Sequence, residues 1–126
     1  MSDNPTMPDA PDFVAEGKEI LPDLMKLREA IHEDPELGLE NPRTQQRILD
    51  AIADLPLEIT LGKKCSSVTA VLRGAQPGPT VLLRGDTDGL PGQELTDLPY
   101  TSKTGTMHAC GHDGHTSMLL GAARLL

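Results

Sequence analysis

Thr80-Val81-Leu82-Leu83-Arg84-Gly85-Asp86-Thr87-Asp88 reads as a strand with two carboxylates set just past its end. Three apolar residues in succession, without polar alternation, predict a strand covered on both faces and central in a sheet. Open α/β sheets gather their ligand-binding groups at the carboxyl ends of such strands. The stretch therefore predicts an α/β domain with chemistry at Asp86 and Asp88. An extended backbone aims these two side chains in one direction. Two inward carboxylates repel unless a cation or a histidine stands between them. The competing reading of the same residues is a pair of solvated turn aspartates.

Working back toward the N-terminus, Gln76–Pro79 has turn chemistry and Val68–Arg73 reads as a strand. Together they predict a hairpin into the strand at 80–84. Leu57, Ile59 and Leu61 alternate with polar residues, as in a half-buried strand. Before them the period becomes helical. Asn41-Pro42 predicts a capped helix start, and Ile48, Leu49 and Ile52 give that helix a buried face before Pro56. Phe13, Ile20, Leu24, Leu27 and Ile31 form one apolar stripe of a longer helix, from Pro11 or Asp12 to His32, in which Pro22 predicts a kink or a second start. Residues 1–12 are expected to form a flexible tail, leaving 13–126 as the folded unit.

Toward the C-terminus, residues 85–111 are irregular and rich in Gly, Pro, Asp and Thr. Loops of that length are usually functional when ordered. A last helix is predicted over Asp113–Leu126, with Met118, Leu119, Ala122, Leu125 and Leu126 on one side. It stops without a C-cap, which suggests the N-terminal piece of a longer chain. Between loop and helix lies Met107-His108-Ala109-Cys110-Gly111-His112-Asp113-Gly114-His115, holding three of the four histidines. Thiolate and imidazole are good ligands for zinc and similar ions. With one residue between them, Cys110 and His112 point the same way if the backbone is extended. Spacing alone leaves two other readings open: a buried cysteine beside surface histidines, and a nucleophilic Cys/His pair using His108 or His112.

Composition narrows the classes. A net charge of -8, from 19 acidic and 11 basic residues, disfavours nucleic acid and anionic membranes as partners. The opening residues lack the apolar run of a secretory signal or membrane span. Two distant cysteines, Cys65 and Cys110, make no disulfide framework, and a cytoplasmic location is the default. Phe13 and Tyr100 are the only large aromatics, so the core must be aliphatic.

The segments around His32-Glu33-Asp34-Pro35-Glu36-Leu37, Arg84–Pro91, Leu98-Pro99-Tyr100 and Met107–His115 resemble the N-terminal part of the M20 metallopeptidase family. The likeness is to its amidohydrolase branch, which includes hippurate hydrolases and N-acyl-amino-acid amidohydrolases. It spans about Ile20–Leu126 and about the first third of a typical member. It implies a partial zinc-peptidase-like α/β catalytic domain, with helices followed by a mixed sheet and a C-terminal helix. The implied activity is metal-dependent hydrolysis of the amide bond of N-acyl amino acids or similar small amides. Two divalent ions (Zn, Mn, Co or Ni) would occupy the complete site. Cys110 is then implied as a ligand bridging or contacting both ions, His112 as a ligand of one, and Asp88 as the catalytic-site carboxylate supporting the metal centre. His108, Asp113 and His115 match positions near that centre, and His32 matches a position outside the metal shell. The family's Glu-Glu pair and later histidines fall beyond this sequence, which implies little turnover by the chain alone. The alternative is a catalytically inactive piece that folds or self-associates as a homo-oligomer. Gly85, Thr87, Gly89 and Gly92 depart from the family's usual residues and imply looser packing around the carboxylates.

Overall fold

A computed structural model describes residues 10–126. The expected tail over 1–12 lies for the most part outside the described residues. Helix α1 spans Phe13–Glu33, α2 Pro42–Ala51 and α3 His112–Leu125. Strands β1 (Glu58–Leu61) and β2 (Val68–Val71) form one antiparallel pair, and β3 (Leu90–Pro91) and β4 (Thr106–Met107) form another. The α/β class, the three helices and the strands near 57–61 and 68–73 match the sequence reading. The sheet content is two separate two-stranded ladders plus one parallel bridge between Leu37 and Gly89.

α1 begins where Asp12 accepts a hydrogen bond from the Ala15 N–H at 3.0 Å, and it runs through Pro22 without a second start. α2 has proline at its first position, as expected, but the Asn41 side chain does not cap it. The Glu36 carboxylate does so instead, accepting from the N–H groups of Arg43 (3.3 Å) and Thr44 (2.7 Å) and from the Thr44 hydroxyl (2.9 Å). A carboxylate there satisfies donors the helix leaves open and sits favourably on its dipole.

The apolar core is small: Ile48, Ile52 and Leu120 are buried together, with Leu27, Ala51, Leu55, Leu57 and Val68 packed around them. Among the described residues the buried aliphatic side chains are Ile31, Ile48, Ile52 and Leu120, against ten buried polar or charged ones. The interior therefore stands or falls on hydrogen bonding, since a buried polar group without a partner costs about 1–3 kcal/mol.

Two expectations for the strands fail. Thr80–Arg84 forms no ladder, and Val81 and Leu82 are 78% and 85% exposed. An apolar run becomes a central strand only when neighbouring strands satisfy its backbone, and none of the described residues does. The observed hairpin is β1–β2, with Leu61 opposite Val68 and Glu58 opposite Val71. Both its faces are largely open, with Ile59 at 41% and Leu61 at 45%. The alternation at 57–61 was legible, but only Leu57 packs against the core, and among the described residues nothing covers Ile59 and Leu61. Among the described residues no helix is long and apolar enough to cross a membrane.

Candidate metal centre

The long irregular segment is ordered around two devices. The β3–β4 pair sets Leu90 opposite Met107 and Pro91 opposite Thr106, which fixes both ends of the intervening loop. Within that loop Glu94 is buried and accepts from the Ser102 backbone N–H and the Thr96 hydroxyl. The loop is wrapped on one carboxylate.

After β4 the chain turns rather than extends. Ala109 and Cys110 lie in a turn closed by the Gly111 N–H on the His108 carbonyl at 3.3 Å. Gly111 has φ 81° and precedes the first residue of α3. That left-handed conformation suits glycine, since a Cβ there strains the backbone. The extended-backbone argument for Cys110 and His112 pointing alike therefore does not hold; a turn and a helix start present them. Cys110 is exposed, and both cysteines are free.

His112, at the start of α3, stands between the two aspartates. Its Nδ1 lies 2.9 Å from the Asp88 carbonyl oxygen and 3.0 Å from Asp88 Oδ1. Its Nε2 lies 3.8 Å from Asp86 Oδ2. Both partners of Nδ1 are acceptors, so Nδ1 carries the proton and donates. The Nε2 lone pair is left free, the state a metal-ligating imidazole needs. The Thr116 hydroxyl donates to the Asp86 carbonyl at 2.9 Å and ties the aspartate segment to α3. Arg84 pairs with Asp86 Oδ1 at 2.6 Å. A histidine standing between the carboxylates was one of the two arrangements that could make the spacing tolerable.

Asp113 faces the other way. Successive helical residues diverge by about 100°, so His112 meets Asp88 while Asp113, 1% exposed, points into the interior toward α1. There its Oδ2 accepts from Arg28 Nε and pairs with His32 Nδ1, each at 2.8 Å. The other His32 nitrogen, Nε2, meets Glu94 Oε1. Tyr100 lies edge-on to the His32 ring at 5.4 Å and accepts from Arg28 Nη1. Burial pushes the Asp113 and Glu94 carboxyls up. For Asp113 the hydrogen bonds from His32 and the Gly114 N–H, with the attraction of Arg28, together outweigh it, and for Glu94 those from His32, Ser102 and Thr96 do, so both are held below the usual carboxylate range. His32 thus sits in a buried polar cluster, away from the Asp86/Asp88 side, and Asp113 belongs with it.

His108 is also buried, and neither ring nitrogen has a partner among the described residues. Burial pushes its pKa down, against the attraction of Asp113. His115 is exposed, its ring 5.6 Å from that of His112. Sequence reasoning singled out neither Glu94 nor Arg28: Glu94 stands in no motif, Arg28 lies in the matched 27–37 stretch without a chemical signal of its own, and only folding brings them to His32 and Asp113. The glycines at 85 and 89 do not loosen the site. A Cβ at Gly89 would lie 2.8 Å from Pro35 Cβ, and one at Gly85 3.3 Å from the His115 carbonyl oxygen. Both mark close approach rather than slack.

The chemistry of the donors fits a divalent ion: an exposed thiol and an imidazole with its outer nitrogen free. The set is partial. Among the described residues no three His, Cys, Asp or Glu side chains converge to hold an ion.

Comparison with known proteins bears on the same segment. The model of Peptidase family M20/M25/M40 matches residues 82–126. Thermostable carboxypeptidase 1 of Saccharolobus solfataricus is 44% identical over 82% of this chain and 27% of its own length. The N-acyl-L-amino acid amidohydrolase of Geobacillus stearothermophilus is 42% identical over 85% of this chain and 29% of its own. The crystal structure of the Bacillus subtilis YxeP protein, described as a dinuclear metal-binding peptidase of the M20 family, superposes with a TM-score of 0.79 at 39% identity. That match covers 86% of this chain and 31% of the other. The chain thus spans about three tenths of the length of the proteins it matches.

Proposed function

This chain belongs to the M20 peptidase family, and on that premise we propose that it supplies part of a metal-dependent amidohydrolase centre. The substrates would be N-acyl amino acids or similar small amides. The observation that carries the reading is the His112 ring, held at Nδ1 by Asp88 with Nε2 left open. Its amidohydrolase character is supported by the relative from Geobacillus stearothermophilus, and the use of divalent ions by the description of the Bacillus subtilis structure.

In this reading Cys110 and His112 are the metal ligands contributed by this chain. Asp88 is the carboxylate that fixes the imidazole tautomer and raises its basicity. A divalent ion bound there supplies Lewis acidity toward a substrate carbonyl and activates water for attack. Asp86 lies 3.8 Å from His112 Nε2, with its other oxygen paired to Arg84. With two donors and no third converging among the described residues, the chain by itself is expected to bind an ion weakly and to turn over little substrate.

Zinc or manganese titration of the purified chain tests this directly. Binding that disappears in both Cys110→Ala and His112→Ala is the expected result. Binding indifferent to Cys110→Ala would sink the assignment, and rapid metal-dependent turnover by the chain alone would show that its donor set is not partial. A second reading, a piece that self-associates without turnover, is favoured by the exposed Val81, Leu82, Met118 and Leu126. Light scattering with metal analysis separates the two: oligomers lacking metal favour it, and a metal-loaded monomer opposes it.

A further inference from the structure

The buried cluster beside the metal centre has no part in the chemistry above. Three segments meet in it. α1 contributes Arg28 and His32, the loop after β3 contributes Glu94, and the first turn of α3 contributes Asp113. Both carboxylates are engaged. Asp113 Oδ2 takes Arg28 and His32, while Glu94 takes His32, Thr96 and the Ser102 N–H. His32 is 7% exposed, Glu94 4% and Asp113 1%.

Burying two carboxylates around an imidazole, with the half-buried Arg28 guanidinium at the edge, is a poor route to stability, because desolvation offsets most of the attraction and apolar packing does as well. What such a cluster can specify is geometry. A ring gripped at both nitrogens admits one separation and one orientation of the elements that grip it. Here those elements are the loop leading to β4 and the first turn of α3, the turn that also starts with His112.

We propose that His32 is a positioning residue: held between Asp113 and Glu94, it fixes the first turn of α3 so that His112 keeps Nδ1 on Asp88 and presents Nε2 outward. What the presented nitrogen does rests on the function proposed above; how the ring is held does not. The His112 ring has two anchors on this account. Asp88 acts on it directly, and His32 acts through the backbone of the helix start.

The test uses the full chain with 15N-labelled histidine, free of metal, read by long-range proton–nitrogen NMR at a pH where His112 is neutral. Wild type is expected to show His112 as a single tautomer, protonated at Nδ1. His32→Gln, which cannot bridge both carboxylates, is expected to populate both tautomers. Ile48→Val, a core change in α2 that lowers stability without touching the cluster, is expected to leave the single tautomer intact. Should His32→Gln fail to fold, Glu94→Gln takes its place, since it keeps Asp113 on His32 and Arg28 on Asp113 and weakens one side only. An unchanged His112 pattern in the folded variant overturns the proposal, and so does equal loss of the pattern in Ile48→Val. Cobalt(II) titration, followed by thiolate-to-cobalt absorption, supplies the second arm. Affinity is expected to fall on the order of 10-fold in the His32 variant. No such band in wild type would count against the metal reading, while the tautomer measurement still decides the positioning claim.

Discussion

His112 stands where the Asp86/Asp88 pair and the turn at Gly111 meet. Asp86 and Asp88 were legible as a pair needing a histidine or cation between them, and the structure supplies the histidine. Gly111, with φ 81°, ends the turn that carries Cys110 and starts the helix that carries His112. Asp88 is the residue on which a point test turns. Its side chain is 37% exposed, so Asp88→Ala should barely move the melting temperature. Loss of the carboxylate that orients the ring should nonetheless lower zinc affinity by about 10- to 100-fold, measured by competition with a chelator of known strength. Equal affinity in the variant would mean that the backbone carbonyl of Asp88 suffices to hold His112.

At the scale of elements, the helices were read well and the strands poorly. Helix periodicity is local: Leu27 and Ile31 share a face whatever surrounds them, and Asn41-Pro42 marks a start even though Glu36 is the residue that caps it. The tie between α1, the loop and α3 was not legible, because it joins residues 62 to 85 positions apart. Those ties make stability depend on pH in a definite direction. Arg43, with Arg47, holds the Asp34 carboxyl below its ordinary range against the opposing effect of burial. His32, Ser102 and Thr96 do the same for Glu94. A carboxyl depressed in the folded chain is protonated more readily in the unfolded one, so the unfolded state gains protons as pH falls through about 4. This stabilisation is complete above the unfolded-state value and is lost as pH drops toward the folded one. Melting temperatures are expected to fall gently below about pH 6.5, where the unfolded chain protonates His108 before the folded one does, and steeply below about 4.5, with a shallower acid limb in Glu94→Gln and in Asp34→Asn. An acid limb of the same slope in both variants would show that other carboxyls carry the dependence.

Across the whole molecule, apolar side chains are divided between a small core and a broad exposed set. Ile48 is 7% exposed and packs with Ile52 and Leu120, whereas Leu82 is 85% exposed. Ile48→Ala should cost about 2–5 kcal/mol in urea unfolding, and Leu82→Ala should stay within about 0.5 kcal/mol. A large loss at Leu82 would mean that the 80–84 segment is covered in solution, by self-association or otherwise. The sequence by itself determined the helices, the α/β class, and the concentration of thiol, imidazole and carboxylate at 86–115, since these follow from local period and residue chemistry. Only the tertiary structure decided that Asp113 belongs with His32 rather than with His112's outer nitrogen. It alone showed that Glu94 organises the long loop and that the run at 80–84 lacks a partner. Those outcomes depend on which distant segments meet, and short-range pattern carries no information about contacts between residues far apart in the chain.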